Sequence, residues 1–174
     1  MFKNNYNLIE KLCQDIFMKI TEYLTVDDIY NLLLTNKSIL VNNNVISVNE
    51  INIDNPDILR KIGIFSKIKT NNLSISNIND NNQFQQIMSR CNFIKTLRHT
   101  CNELEPLQQL SNIRSSIEYL HLSNFFGNDF SFLQNLVNLK SLTIEKSHNF
   151  NDLNFLNFPF TISYDNWCLI CYRI

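Results

Sequence analysis

A short apolar pattern returns along this chain at a nearly constant interval, and that period restricts the fold more than any other feature. The segments VNEINID, TNNLSIS, IKTLRHT, IEYLHLS and LKSLTIE align on the pairs Ile51/Ile53, Leu73/Ile75, Leu97/His99, Leu120/Leu122 and Leu142/Ile144. Their first members are 22, 24, 23 and 22 residues apart. Three residues before each pair lie Val48, Thr70, Ile94, Ile117 and Leu139, of which Thr70 alone is polar. Within each segment apolar and polar residues alternate, the mark of a strand with one buried face. The third segment is the weakest, because His99 stands where the others carry an aliphatic residue. One strand and its return cannot bury an apolar face alone, whereas stacking about five of them builds a parallel sheet over a continuous core.

The segments between the strands supply the rest of that core. In DFSFLQNLVNLKSL, Phe130, Phe132, Leu133 and Leu136 are placed to fill the side opposite the exposed sheet face, and Leu107, Leu110 and Ile113 do the same one repeat earlier. Gly127 and the Asn residues that follow the strands suit turns needing positive φ. A further strand is expected near Phe160 to Ile162, at an offset from Leu142 that is shorter than the period. The tail SYDNWCLICYRI is expected to close the open end, with Trp167 and Leu169 covering the last strand.

Ahead of the repeats the period changes. Leu12, Ile16, Phe17, Ile20, Tyr23 and Leu24 follow in steps of three and four, which predicts one apolar face of a helix. Thr25 then offers an N-cap, and Asp28 three residues on completes a capping box with Asp in place of Glu. Asp27 and Asp28 put negative charge on the positive end of the second helix. That helix is expected to run to about Asn36, with Ile29, Leu32 and Leu33 inward, and a third turn is expected around Ser38 to Asn42. A unit this small should lean on a partner, on the sheet, or on both.

Composition excludes several classes of function. The net charge of −1 leaves no basic face for a phosphate backbone. No run of about 18 apolar residues reads as a membrane span, and MFKNNYNLIEKL lacks the apolar centre of a secretory signal. With 2 Gly in the chain, no Gly-rich phosphate loop is expected. Asn makes up roughly one residue in six and Ala is absent, a bias that matches AT-rich codons. The 5 Cys are an odd number, which favours reduced thiols. Cys168 and Cys171 have redox or zinc spacing, but Cys91 and Cys101 make a poor second pair, so buried apolar thiols are the reading taken. None of the three His (His99, His121 and His148) has a Ser, Cys or carboxylate at a spacing known for nucleophilic catalysis. No catalytic residue, metal or cofactor is expected.

From Leu12 to Lys37 the order of residues resembles an F-box. Leu12, Asp15, Ile16, Ile20, Tyr23, Leu24, Asp28, Ile29, Leu32, Asn36 and Lys37 stand in the places that the family fills with the same kinds of residue. Cys13 occupies the position where the family prefers Pro, which presets a first helical turn. The strand segments resemble leucine-rich repeats and also the FNIP-type repeats that accompany F-boxes in amoebal and giant-virus proteins. The two subtypes are not separated here.

These resemblances imply an α+β or α/β solenoid. Residues 1–45 would form a helical F-box-like module of two or three helices. Residues 46–174 would form about five leucine-rich-type repeats with a parallel concave sheet and a closing segment. The implied role is that of a substrate-recognition adaptor in an SCF-type cullin–RING ubiquitin ligase, acting in the cytoplasm or nucleus. Its partners would be a Skp-type subunit and a target protein, with no nucleic acid and no membrane. The alternative is an interaction scaffold that does not engage the ligase. Residues carried over for docking are Leu12, Cys13, Ile16, Ile20, Tyr23, Leu24 and Ile29. For the target, the outward positions of the strands make three rows, the central one being Asn52, Ser74, Arg98, His121 and Thr143. Arg98, Tyr119 and His121 are its expected centre, since Arg and Tyr are common anchors of protein interfaces.

Overall fold

The computed structural model describes residues 14–35, 45–76, 81–100, 113–124, 131–145, 160–165 and 168–173. The protein is an α+β structure whose central feature is one sheet. Helix α1 covers 14–21 and α2 covers Val26–Thr35. Strand β1 (Val45–Ile53) is followed by α3 (Pro56–Ile62), β2 (Lys67–Ile75), α4 (Asn81–Arg90) and β3 (Cys91–Thr100). Then come β4 (Tyr119–Ser123), a 3-10 turn at Ser131–Asn135, β5 (Ser141–Glu145), β6 (Phe160–Asp165) and β7 (Cys168–Arg173).

Strands β1 to β5 are parallel and lie in chain order, and the sheet continues β5–β7–β6. Its register joins the residues that the period aligns. Ile51 lies opposite Leu73, Leu73 opposite Leu97, Leu97 opposite Leu120, and Leu120 opposite Leu142. The second members follow in the same way, from Ile53 through Ile75, His99 and Leu122 to Ile144. All ten are buried, and so is the earlier row Val48, Thr70, Ile94, Ile117 and Leu139. Thr70 is tolerated there because its hydroxyl donates to the carbonyls of Asn49 at 3.3 Å and Asn72 at 3.0 Å, which removes the cost of a buried unpaired oxygen. His99 carries no such full compensation. Among the described residues its Nδ1 has no partner, while its ring lies 4.6 Å from that of Phe84.

Two of the returns are helical. Asn55 caps α3, accepting on Oδ1 from the N–H groups of Asp57 at 3.0 Å and Ile58 at 3.1 Å, and Pro56 takes the first turn, where no N–H is needed. The α4 helix turns Phe84, Ile87 and Met88 onto the core. Later returns contribute Ile113, Phe132, Leu133 and Leu136, all buried. Phe130, Leu107, Leu110 and Gly127 lie outside the described residues. Asn124, directly after β4, adopts a φ of 56°, the left-handed conformation that Asn tolerates better than most residues.

The chain's last described segment joins the sheet in its plane. Strand β7 pairs antiparallel with β5 from Ser141–Tyr172 to Glu145–Cys168, and β6 pairs antiparallel with β7. The open edge of β5 is therefore closed by backbone hydrogen bonding, as a strand, where the sequence suggested side chains laid over it. Edge pairing satisfies a whole row of peptide groups that a covering side chain would leave unpaired. Trp167 lies outside the described residues.

The helices at the start share the sheet's core. Phe17, Val26, Ile29 and Leu33 belong to one cluster with Ile46, Ile51, Ile53 and the strands beyond. Polar contacts fix the junction. Thr21 is fully buried; its hydroxyl donates to the Met18 carbonyl at 2.9 Å and accepts from the Ser47 N–H of β1 at 3.2 Å. Lys61 of α3 reaches Asp27 of α2 at 2.7 Å and Asp57 at 2.7 Å, and these two bonds hold its ammonium above the usual lysine range. Thr21→Val should therefore destabilise the chain by about 1–3 kcal/mol, the cost of leaving a buried N–H unpaired, while Thr21→Ser should recover most of that loss. Urea midpoints of the three proteins measure both effects.

Candidate functional site

Two surfaces carry the residues singled out from the sequence. The first is the outer side of α1. The six apolar positions from Leu12 to Leu24 do not share one buried face. Phe17 is buried, Leu24 is half-buried against the core, and Thr21 completes the inner stripe. Ile16, Ile20 and Tyr23 form a second stripe and are 53 %, 49 % and 87 % exposed. Both stripes have the spacing i, i+4, i+7, with the last member of each in the turn after α1; within the helix they are offset by one residue, or about 100°. Leu32 of α2, expected inward, is also exposed, and so is Leu34.

Ile29 is the opposite case. It was carried over as a docking residue, yet it is 0 % exposed at the centre of the shared core. The capping box that starts α2 explains its placement. Asp28 N–H donates to Thr25 Oγ1 at 3.2 Å, and Thr25 N–H donates to Asp28 Oδ2 at 3.2 Å. The Thr25 hydroxyl also donates to that carboxylate at 2.7 Å, and these bonds hold the Asp28 carboxyl below its ordinary range. With the first turn so fixed, Val26, Ile29 and Leu33 face inward. Leu12 and Cys13 lie outside the described residues, as does the turn expected at Ser38 to Asn42.

The second surface is the outward face of the sheet. Register places Asn52, Ser74, Arg98, His121 and Thr143 side by side on five successive strands. Tyr119 lies two residues before His121 on the same face and is 40 % exposed. Arg98, Tyr119 and His121 are thus brought together. A polar cluster adjoins them that the sequence reading did not single out. His121 Nε2 is 3.1 Å from Ser123 Oγ and 3.4 Å from Glu145 Oε2, and the Ser123 hydroxyl donates to Glu145 at 3.0 Å. The signal was present in the period, since Ser123 and Glu145 are 22 residues apart and so fall on neighbouring strands.

This cluster is not arranged as a nucleophile and its base. In a catalytic serine site the base accepts the hydroxyl proton at one ring nitrogen and is held by a carboxylate at the other. Here one nitrogen, Nε2, meets both groups, and the hydroxyl proton is directed to Glu145. The cluster links the ends of β4 and β5 and presents a mixed polar surface. At the opposite end of these strands Glu118 sits between Lys140 at 2.9 Å and Lys95 at 3.8 Å. The hydrogen bond from Lys140 is the main cause of a Glu118 carboxyl held below its ordinary value.

Cys91, Cys168 and Cys171 lie among the described residues. Cys91 is buried, and burial pushes its thiol up to about 12, far from a reactive thiolate. Cys168 and Cys171 both lie in β7. Three residues of strand separate Cα atoms by about 10 Å, beyond the roughly 7 Å that a disulfide can span. Among the described residues no three His, Cys, Asp or Glu side chains gather as metal ligands, and no helix is long and apolar enough to cross a membrane.

Compared with known proteins, the chain matches no family model and no curated sequence. The functional reading therefore stands on these two surfaces and on the order of residues in the N-terminal segment.

Proposed function

We propose that the chain is a non-enzymatic adaptor of an SCF-type cullin–RING ubiquitin ligase. Residues 1–45 act as the F-box-like docking module and the strands with their returns act as a short solenoid of leucine-rich-type repeats. One observation carries the reading: Ile16 and Ile20 stand exposed on α1 and Tyr23 in the turn that follows it, while Phe17 on the other side of α1 is fixed in the core of the sheet. Covering a side chain of this size yields about 1.5–3 kcal/mol, so the stripe is suited to a partner's apolar groove. Leu24 and Ile29 leave the docking set and become the module's internal support. The sheet face centred on Arg98, Tyr119 and His121 then holds the target. The mechanism is proximity, in which the adaptor raises the local concentration of target at a transfer site supplied by other subunits.

The test is co-purification with a Skp-type subunit. The native chain should form the complex, and Ile16→Asp/Ile20→Asp should lose it with little change in thermal stability, because both positions are exposed. A double variant that binds as tightly as the native chain, or a native chain that does not bind, would overturn the reading. The scaffold reading that dispenses with the ligase draws on Cys13, which replaces the family's Pro in the segment leading to the docking helix.

A further inference from the structure

The outward sheet face carries its charges in a pattern. Arg98 is exposed at its centre. Beside it lie Ser74 of β2 and His121 of β4, with Thr96 and Thr100 on its own strand and Tyr119 and Ser123 at diagonal positions. No acid stands among these neighbours. The nearest acids on this face lie two strands away in either direction, Glu50 on β1 with Asp54 just past its end on one side and Glu145 on β5 on the other. Register sets Glu50, Arg98 and Glu145 on one diagonal, with Asp54 off it. Glu50 pairs with Asn72, which pairs with Thr96, two residues before Arg98. On the other side Arg98 pairs with His121, and Ser123, two residues on, pairs with Glu145. Each step is two strand spacings and two residues, about 12 Å. Among the described residues neither Arg98 nor Glu50 enters an ion pair.

We infer that this face selects a target segment of complementary charge order, basic–acidic–basic, laid diagonally across the strands with its acidic side chain over Arg98. The inference rests on the target-holding role of the sheet proposed above and names the chemistry of the target. Complementarity supplies the argument. An acid over Arg98 meets a cation flanked by the Ser74, Thr96 and Thr100 hydroxyls and the Tyr119 phenol, which can donate to the same oxyanion. Basic groups about 12 Å to each side meet Glu50 and Glu145, and an extended chain covers that distance in three to four residues. A segment of reversed order places like charges together at all three points, and such juxtaposition discriminates partners more strongly than matched pairs attract them.

The test uses the full chain and two synthetic peptides of equal length and spacing that carry opposite charges at three positions. In one, Lys, Glu and Lys are separated by three Ser residues each; in the other, Glu, Lys and Glu take the same places. Fluorescence anisotropy at low salt should show the first bound about tenfold more tightly, as expected from three exposed ion pairs. Arg98→Glu, at an exposed position that leaves the circular dichroism spectrum unchanged, should remove or invert that preference. Equal binding of the two peptides, binding of neither, or a preference that survives Arg98→Glu would overturn the inference. The assay contains no Skp-type subunit, so failure of α1 docking and failure of this charge code are read separately.

Discussion

Ile29→Ala is expected to lower the stability of the whole chain by about 3–4 kcal/mol, the usual cost of truncating a fully buried aliphatic side chain. Ile29 lies in the cluster that runs from α1 and α2 into β1, β2 and the strands beyond. The loss should therefore appear as one earlier transition in urea, with helix and sheet signals moving together. If far-UV circular dichroism showed the helices melting alone at low urea while the sheet stayed native, the shared core would be refuted. The contrast with Ile16 and Ile20 is the informative part. Ala at those exposed positions should change stability by no more than about 0.5 kcal/mol, while weakening any complex that α1 makes. Measuring both properties for all three variants separates residues that hold the fold from residues offered to a partner.

His99 should make the chain sensitive to acid in a defined window. Burial pushes its imidazole down to about 4 from the ordinary 6.5, opposed only in part by a hydrogen bond to the Ile75 backbone. Its Nδ1 has no partner among the described residues, and its ring lies against Phe84. The folded state therefore holds this group neutral, whereas the unfolded chain takes up a proton below about pH 6.5. Between pH 6.5 and 4 the unfolded state binds more protons, so stability rises with pH through that range. The associated contribution is fully present above pH 6.5 and is lost as pH falls through about 4, amounting to about 3 kcal/mol. His99→Leu puts an aliphatic residue back in the row and should remove this component. Urea titrations at pH 7 and pH 4.5 should show the native chain losing about 2–3 kcal/mol more than the variant. The carboxylates held low by their partners, such as Glu118 and Asp57, add acid sensitivity of their own. That part is common to both proteins and cancels in the comparison. An equal loss in both would show that His99 is not held neutral.

The strand register was legible because it depends on a repeated local rule. Each strand has a two-residue alternation, and a return of 22 to 24 residues brings the next strand alongside in the same phase. A slip of one residue would turn a whole apolar row outward, so the period alone predicts that Leu97 meets Leu120 and that Arg98 meets His121. The capping box at Thr25 and Asp28 was legible for the same reason, since its partners are three residues apart. The His121–Ser123–Glu145 cluster was readable in principle from the register, but two of its contacts join different strands and its form depends on where the side chains turn.

The orientation of α1 was decided elsewhere. Its sequence carries two apolar stripes of identical spacing, Ile16–Ile20–Tyr23 and Phe17–Thr21–Leu24, and hydrophobicity alone favours the first because the second contains a threonine. The fold chooses the second. Ser47 of β1 presents an N–H toward α1, and the Thr21 hydroxyl accepts it, so the polar residue becomes the one that must be inside. Local periodicity fixed which residues form strands, where α2 begins and which rows share a face. Only the packed structure determined which stripe of α1 is buried and that β7 closes the sheet as an antiparallel edge. Both depend on which unpaired peptide groups a distant segment leaves to be satisfied, and no window of neighbouring residues contains that information.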